Sequence, residues 1–152
     1  MPKQSAGILF YRLQNKTLEV LLVHPGGPYW SKKDLAAWSI PKGEIEGDEE
    51  PILAAQREVE EELGIAVAGN WLPLTPIKQK SGKVVHAWAV QHDLDATNIK
   101  SNQIDIEWPP KSGLRKSIPE VDKAAWFTIP IAKEKIIAAQ TAFLTELEGL
   151  MK

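Results

Sequence analysis

Between Gly43 and Ile65 the chain reads GEIEGDEEPILAAQREVEEELGI, and this stretch limits the possible folds more than any other. Ile52, Ala55, Val59 and Leu63 recur near the helical period, so the spacing predicts a helix that buries one stripe. Glu58, Glu61 and Glu62 stand at i, i+3 and i, i+4, which places three carboxylates on another stripe. Like charges at those spacings cost an isolated helix roughly 0.2–0.5 kcal/mol per pair. A cation among them reverses that sign, and a hard divalent ion prefers oxygen ligands completed by substrate phosphates. The plain alternative is a solvated acidic surface. Asp48 is the expected N-cap, Glu49 and Glu50 suit the positive end of the helix dipole, Pro51 fits the first turn, and Gly64 sits where a left-handed C-cap belongs. Before the helix, Pro41-Lys42-Gly43 and Gly47 make a loop able to approach a phosphate closely.

The order of these residues is more specific than their charge. Gly43, five residues, Glu49, seven residues, then Arg57-Glu58-Val59-Glu60-Glu61-Glu62-Leu63-Gly64-Ile65 resembles the Nudix box at every defining position. The resemblance implies an α/β fold, an α/β/α sandwich with a mixed β-sheet between the box helix and a C-terminal helix. It implies Mg²⁺, or Mn²⁺ in its place, held by Glu58, Glu61 and Glu62 with the Gly43 carbonyl as an extra ligand. Arg57 and Glu49 are then a pair that holds loop against helix. The implied reaction is hydrolysis of a nucleoside diphosphate linked to a further group, with Lys42 on the leaving phosphate. Glu58 and Glu120 are the candidate general bases, Glu120 because it precedes Ala125-Trp126-Phe127 as an acidic loop residue does in relatives. Trp38-Ser39-Ile40-Pro41-Lys42-Gly43-Glu44 is similar to the approach to the box in asymmetric diadenosine tetraphosphate hydrolases, some of which carry His where this chain has Glu44. A dinucleoside polyphosphate is therefore the leading substrate class. A (d)NTP or a nucleotide sugar such as ADP-ribose is the alternative, and a catalytically silent nucleotide-binding module is the alternative of another kind. RNA decapping gains no support from so weak a charge.

The remainder supplies a frame and a wall for that stretch. A chain of 152 residues suits one domain, residues 1–152. A formal net charge of −2 offers no general attraction to nucleic acid or membrane, and the absence of cysteine excludes disulfides and thiolate metal sites. The first residues lack the apolar core of a signal peptide, so a cytoplasmic protein is expected. The oligomeric state is left open, a homodimer included. Ser5–Tyr11 and Glu19–Val23 read as a hairpin, and Trp71–Ile77 and Lys83–Gln91 as a second strand pair. Ala37–Ile40, Gln103–Trp108 and Ala124–Thr128 read as short strands. From Ile131 a terminal helix is expected, with Ile136, Ala139, Phe143, Leu147 and Leu150 on one face. Six tryptophans raise the question of base stacking, worth about 1–3 kcal/mol per base. Trp30 and Trp108, beside Pro/Gly-rich loops, are the stacking candidates. Trp38, Lys42 and Lys111 join them as substrate contacts, while Trp71, Trp88 and Trp126 are expected in the core. His24, His86 and His92 show no metal-ligand spacing.

Overall fold

The computed structural model describes residues 3–64, 69–96, 103–119 and 121–151, with the side chains of Glu62, Leu63 and Gln103 outside the description. The first strand, β1 (Gln4–Gln14), turns back through Asn15 and Lys16, both at positive φ, into β2 (Thr17–Pro25). Two central residues at positive φ match the right-handed twist of the flanking strands. β1 then pairs in parallel with β5 (Val84–Gln91), and β5 pairs with β4 (Trp71–Lys78). On the other side β2 pairs with β8 (Val121–Thr128), giving the order β4-β5-β1-β2-β8 in a mixed sheet.

Strand alternation assigns the two faces. Ala6, Ile8 and Phe10 of β1 and Leu21 and Val23 of β2 pack toward Ala54, Ala55 and Val59 of α1 (Pro51–Leu63). Leu9, Tyr11, Val20 and Leu22 point the opposite way, toward Ile129 and Ala132 of α2 (Ile129–Lys135) and Phe143, Leu144 and Leu147 of α3 (Thr141–Leu150). The result is the expected α/β/α sandwich. β5 divides as its sequence suggests, with Val85, Ala87 and Ala89 on the α2/α3 side and Trp88 and Val90 on the α1 side. Trp71, Trp88 and Trp126 are half-buried against the α1-side core.

Three local expectations need correction. Glu50 rather than Asp48 occupies the N-cap of α1, and no side chain caps it. Pro51 opens the helix and Gly64 closes it at φ 69°, its N–H bonded to the Glu60 carbonyl at 2.9 Å. The expected C-terminal helix is interrupted. Ile136 and Ile137 are extended, and Ala138–Gln140 form a 3₁₀ turn before α3. Competing backbone partners explain the break. Ala37 and Trp38 donate to the Lys135 carbonyl, and Ile137 N–H donates to the Trp38 carbonyl, so Trp38–Ile136 bridging replaces helix continuation. Leu150 consequently lies half exposed. Lastly, β6 (Gln103–Glu107) forms a separate two-stranded sheet with β7 (Arg115–Pro119), a strand its polar sequence did not announce.

The 3₁₀ turn has its own anchor. Gln140 is completely buried, and its Oε1 accepts the N–H of buried Ile40 at 3.0 Å. Gln140→Leu removes that acceptor and strands a core N–H, so a loss of about 1–3 kcal/mol is expected in denaturant melts. A melt indistinguishable from wild type would show that Ile40 finds another partner.

Candidate functional site

β1 and β2 pair only through Tyr11–Gln14 and Thr17–Val20, then diverge. The segment leading to the helix fills the gap. Val23 and Ser39 exchange backbone hydrogen bonds of 2.8 and 3.0 Å, and Ile8 N–H donates to the Pro41 carbonyl at 3.1 Å. β3 (Lys42–Glu44) then pairs with the start of β1, Gly7 opposite Lys42 and Ala6 opposite Gly43. A Cβ on Gly7 would run into the Pro41 carbonyl and the Lys42 side chain, so only glycine allows this insertion. Lys42 and Gly43 are thus sheet residues, fixed more rigidly than loop residues.

Gly43 shows the same logic at the chemistry. A Cβ there would fall on the carboxylate of Glu58, which is nine-tenths buried and lies against the Gly43 backbone. Next to it Arg57 acts as a hub. Its Nε and Nη2 donate to both oxygens of Glu49 at 3.0 Å, a bidentate pair, and Nη2 also reaches the Glu44 carbonyl at 3.0 Å. Its Nη1 donates to Glu58 Oε1 at 2.9 Å and to Glu61 Oε2 at 3.4 Å. The Glu49–Arg57 pair expected from the sequence therefore ties the Glu44–Glu49 loop to α1. The hydrogen bonds to Glu49 first, and those to Glu58 second, hold the Arg57 guanidinium above its ordinary pKa despite burial.

The same guanidinium holds the Glu49 carboxyl below its ordinary pKa. A carboxylate depressed on folding adds stability that is fully present above its unfolded pKa, about 4.3. That contribution is lost as pH falls through the lower folded value. Acid-side melts should therefore show Glu49→Gln losing less stability than wild type as pH drops below the ordinary carboxylate range. Parallel pH curves for the two proteins would remove the pair from this role.

Glu58 and Glu61 already converge on one cationic nitrogen, and their oxygens are the donors a hard divalent ion prefers. With the Gly43 cradle, this donor set fits such an ion. Glu62 follows Glu61 on α1, but its side chain lies outside the described residues. Among the described residues no three His, Asp or Glu side chains form a metal-binding group. Glu120 also lies outside the described residues.

A cavity of about 300 Å³ reaches Lys42, the neighbour of Gly43, and is lined by Val23, Trp30, Ile40, Lys42, Gln79 and Val121 among others. Trp30 is half-buried, its ring edge-on to Tyr29 at 5.0 Å, with Lys33 Nζ 4.4 Å above Tyr29. The structure thus brings together Lys42 and Trp30, two of the expected substrate contacts. The others go elsewhere. Trp38 is 4% exposed, its ring against His24 and Phe127 and its Nε1–H bonded to Asp34 at 3.0 Å, so it has no face to give a base. Its loop-like context concealed that it seeds the core between β2 and α2. Trp108 and Lys111 belong to the turn of the β6–β7 hairpin, where Lys111 N–H donates to Glu107 at 2.8 Å, and neither lines the cavity.

Two further groups shape the cavity without a sequence signal. His24 is buried, with Nδ1 2.9 Å from Asp122 of β8 and Nε2 2.6 Å from the Lys33 carbonyl, so it fixes the Trp30 loop to the sheet. Gln79, which lines the cavity, accepts a hydrogen bond from buried Gln140 at 3.4 Å. Only the partners, 98 and 61 residues away, give these side chains meaning.

Residues 1–146 match the family model of the NUDIX domain. The chain belongs to the NUDIX family. An Ap4A hydrolase from C. elegans, solved as a binary complex, superposes with a TM-score of 0.67 at 20% identity, over 98% of this chain and 97% of that one. The NUDIX domain of NrtR from Shewanella oneidensis, solved with ADP ribose, gives 0.66 at 14% identity, over 100% and 90%. At these identities the likeness is one of fold, and the α/β/α sandwich described above is the Nudix fold. An octanoyltransferase of Myxococcus xanthus is 30% identical over 99 residues, 65% of this chain. The match spans only a quarter of that relative's length. No described helix is long and apolar enough to cross a membrane.

Proposed function

We propose that this Nudix chain is a Mg²⁺-dependent pyrophosphohydrolase. Its substrate class is the nucleoside diphosphate linked to a further group, foremost a dinucleoside polyphosphate such as diadenosine tetraphosphate. One observation carries the reading: Lys42 lines the cavity that holds Trp30, while the adjoining Gly43 lies against Glu58. A base against Trp30 would direct its phosphates past Lys42 to the acidic stripe of α1. Glu58, Glu61 and Glu62 with the Gly43 carbonyl would hold the cation, Mn²⁺ serving in its place. A bound divalent ion neutralises phosphate oxygens and acidifies an attacking water. Lys42 takes up charge on the leaving phosphate, and Arg57 keeps Glu58 aimed. The approach Trp38-Ser39-Ile40-Pro41-Lys42-Gly43 and the fold of the C. elegans Ap4A hydrolase support the substrate class.

Glu58 is the preferred proton acceptor. Glu120→Gln is then expected to leave kcat within a few-fold of wild type. A loss of the 10²–10⁴ typical of a missing general base would move the role to Glu120. Trp30→Ala is expected to raise KM for the nucleotide with little change in melting temperature, and a collapse of stability with KM unchanged would make Trp30 a packing residue only.

The reaction itself is tested by incubating the protein with Mg²⁺ and diadenosine tetraphosphate and resolving the products. ATP plus AMP is the expected pair. Likeness to the ADP-ribose-bound NrtR domain supports the second reading, for which AMP plus ribose 5-phosphate from ADP-ribose is the signature. No turnover of these compounds or of (d)NTPs would leave a silent nucleotide-binding module.

A further inference from the structure

One wall of the cavity has its hydrogen-bonding polarity decided inside the core. A backbone N–H can only donate, so the Ile40 N–H obliges buried Gln140 to face it with Oε1, at 3.0 Å. The other corner of the Gln140 amide is then NH₂, a donor, and it faces Gln79 at 3.4 Å. Gln79 must answer with its own Oε1. Its NH₂ is what remains for the cavity that Gln79 lines. A main-chain donor at one end thus fixes the orientation of both amides in turn.

The Gln79 backbone gives this orientation a firm base. Its N–H donates to the Lys83 carbonyl at 2.8 Å, and its carbonyl accepts from Gly82 N–H at 2.9 Å, closing the β4–β5 turn. Among the described residues, no other hydrogen bond engages the Gln79 side chain. An unconstrained glutamine reads adenine bidentately, Oε1 taking the amino N–H and Nε2 donating to N7. With Oε1 turned to Gln140, that pairing is disfavoured.

We propose that Gln79 is a specificity-determining residue that offers N–H donors to a base in the cavity and takes adenine through a ring-nitrogen acceptor, the exocyclic amino group turned away. The proposal rests on the cavity being the base site, as read above. Gln140 is the positioning residue that sets the polarity.

Calorimetric binding of AMP and its 1-deaza, 3-deaza and 7-deaza analogues to wild type, Gln79→Leu, Gln79→Glu and Gln140→Met tests it. In wild type one deaza analogue should bind up to about tenfold more weakly than AMP, the worth of one net hydrogen bond. In Gln79→Leu, AMP should fall to that level and the difference among analogues should vanish. Gln79→Glu sets a second acceptor against the ring nitrogen and should bind AMP more weakly still, with melting temperatures reporting that each variant is folded. Gln140→Met releases the Gln79 amide, so discrimination among the analogues should shrink. Equal binding of all analogues by wild type, or discrimination that survives in Gln79→Leu, overturns the proposal. Failure of AMP to bind also overturns it, since the base site is then elsewhere. AMP binding with the expected pattern but no turnover of any nucleotide would sink the hydrolase reading and leave the Gln79 assignment standing.

Discussion

Gly43→Ala should abolish nearly all turnover while leaving a folded protein. The new methyl would occupy the space of the Glu58 carboxylate, so either β3 leaves β1 or Glu58 leaves Arg57. Overpacking of this kind typically costs about 1–3 kcal/mol. The greater loss is chemical, because displacement of a reacting group by about 1 Å can cost on the order of a hundredfold. The internal control is Gly149→Ala in α3, where a Cβ meets nothing within 4 Å. That substitution should stabilise by a few tenths up to about 1 kcal/mol, from helix propensity alone, and leave kcat unchanged. Activity in Gly43→Ala near wild type would mean that Glu58 functions from some other position, and the site as drawn would be wrong.

Glu58→Gln and Glu61→Gln should each lower kcat by on the order of 10²–10³, as when a group stabilising transition-state charge is deleted. Their stability without metal separates chemistry from structure. A bare stripe of carboxylates would gain stability on losing a charge, by a few tenths of a kcal/mol. Arg57 alters that expectation, since its Nη1 lies between Glu58 and Glu61 and offsets much of their repulsion. Glutamine retains an acceptor for the same guanidinium, and the Glu61 side chain is in any case nearly half exposed. Both variants should therefore melt within about 1 kcal/mol of wild type in the absence of divalent ions: the Glu61 pair is of the exposed kind, and Glu58→Gln leaves Arg57 its bidentate partner Glu49. A drop of several kcal/mol would make the two carboxylates structural struts.

The features legible in the sequence were those with local rules. Pro51 and Gly64 bounded α1 because a missing N–H and a left-handed φ have few other uses. Ser5–Tyr11, Glu19–Val23 and Lys83–Gln91 read as strands from their short apolar runs, but which face meets α1 and which meets α3 appears only in the packing. The Glu49–Arg57 pair follows from the resemblance to the Nudix box, and the structure makes it bidentate. What escaped were features created by distant partners. Ile136, Ala139 and Phe143 share a helical period, yet Trp38, from the loop before β3, claims the backbone at Ile136–Ile137 and breaks the helix. The same contact buries the Trp38 ring, so an aromatic beside a Gly/Pro/Lys-rich loop proved to be core. Gln79, Gln140 and His24 carry no periodicity or motif, and their roles arise only once β2, the 3₁₀ turn and the Trp30 loop share a wall. Polarity inside a core is a property of contact, which no local pattern reports.

The most direct test of the cation-binding centre is thermal denaturation of wild type, Glu58→Gln and Glu61→Gln across a Mg²⁺ titration. Wild type should gain RT ln(1 + [Mg²⁺]/Kd), about 2.7 kcal/mol at a hundredfold excess over its Kd. A variant bound 10- to 100-fold more weakly gains only about 0.4–1.4 kcal/mol at the same concentration. Curves that nearly coincide without metal should thus separate as Mg²⁺ is added, wild type moving furthest. Equal stabilisation of all three proteins would contradict the assignment of Glu58 and Glu61 as ligands, and with it the account of the site.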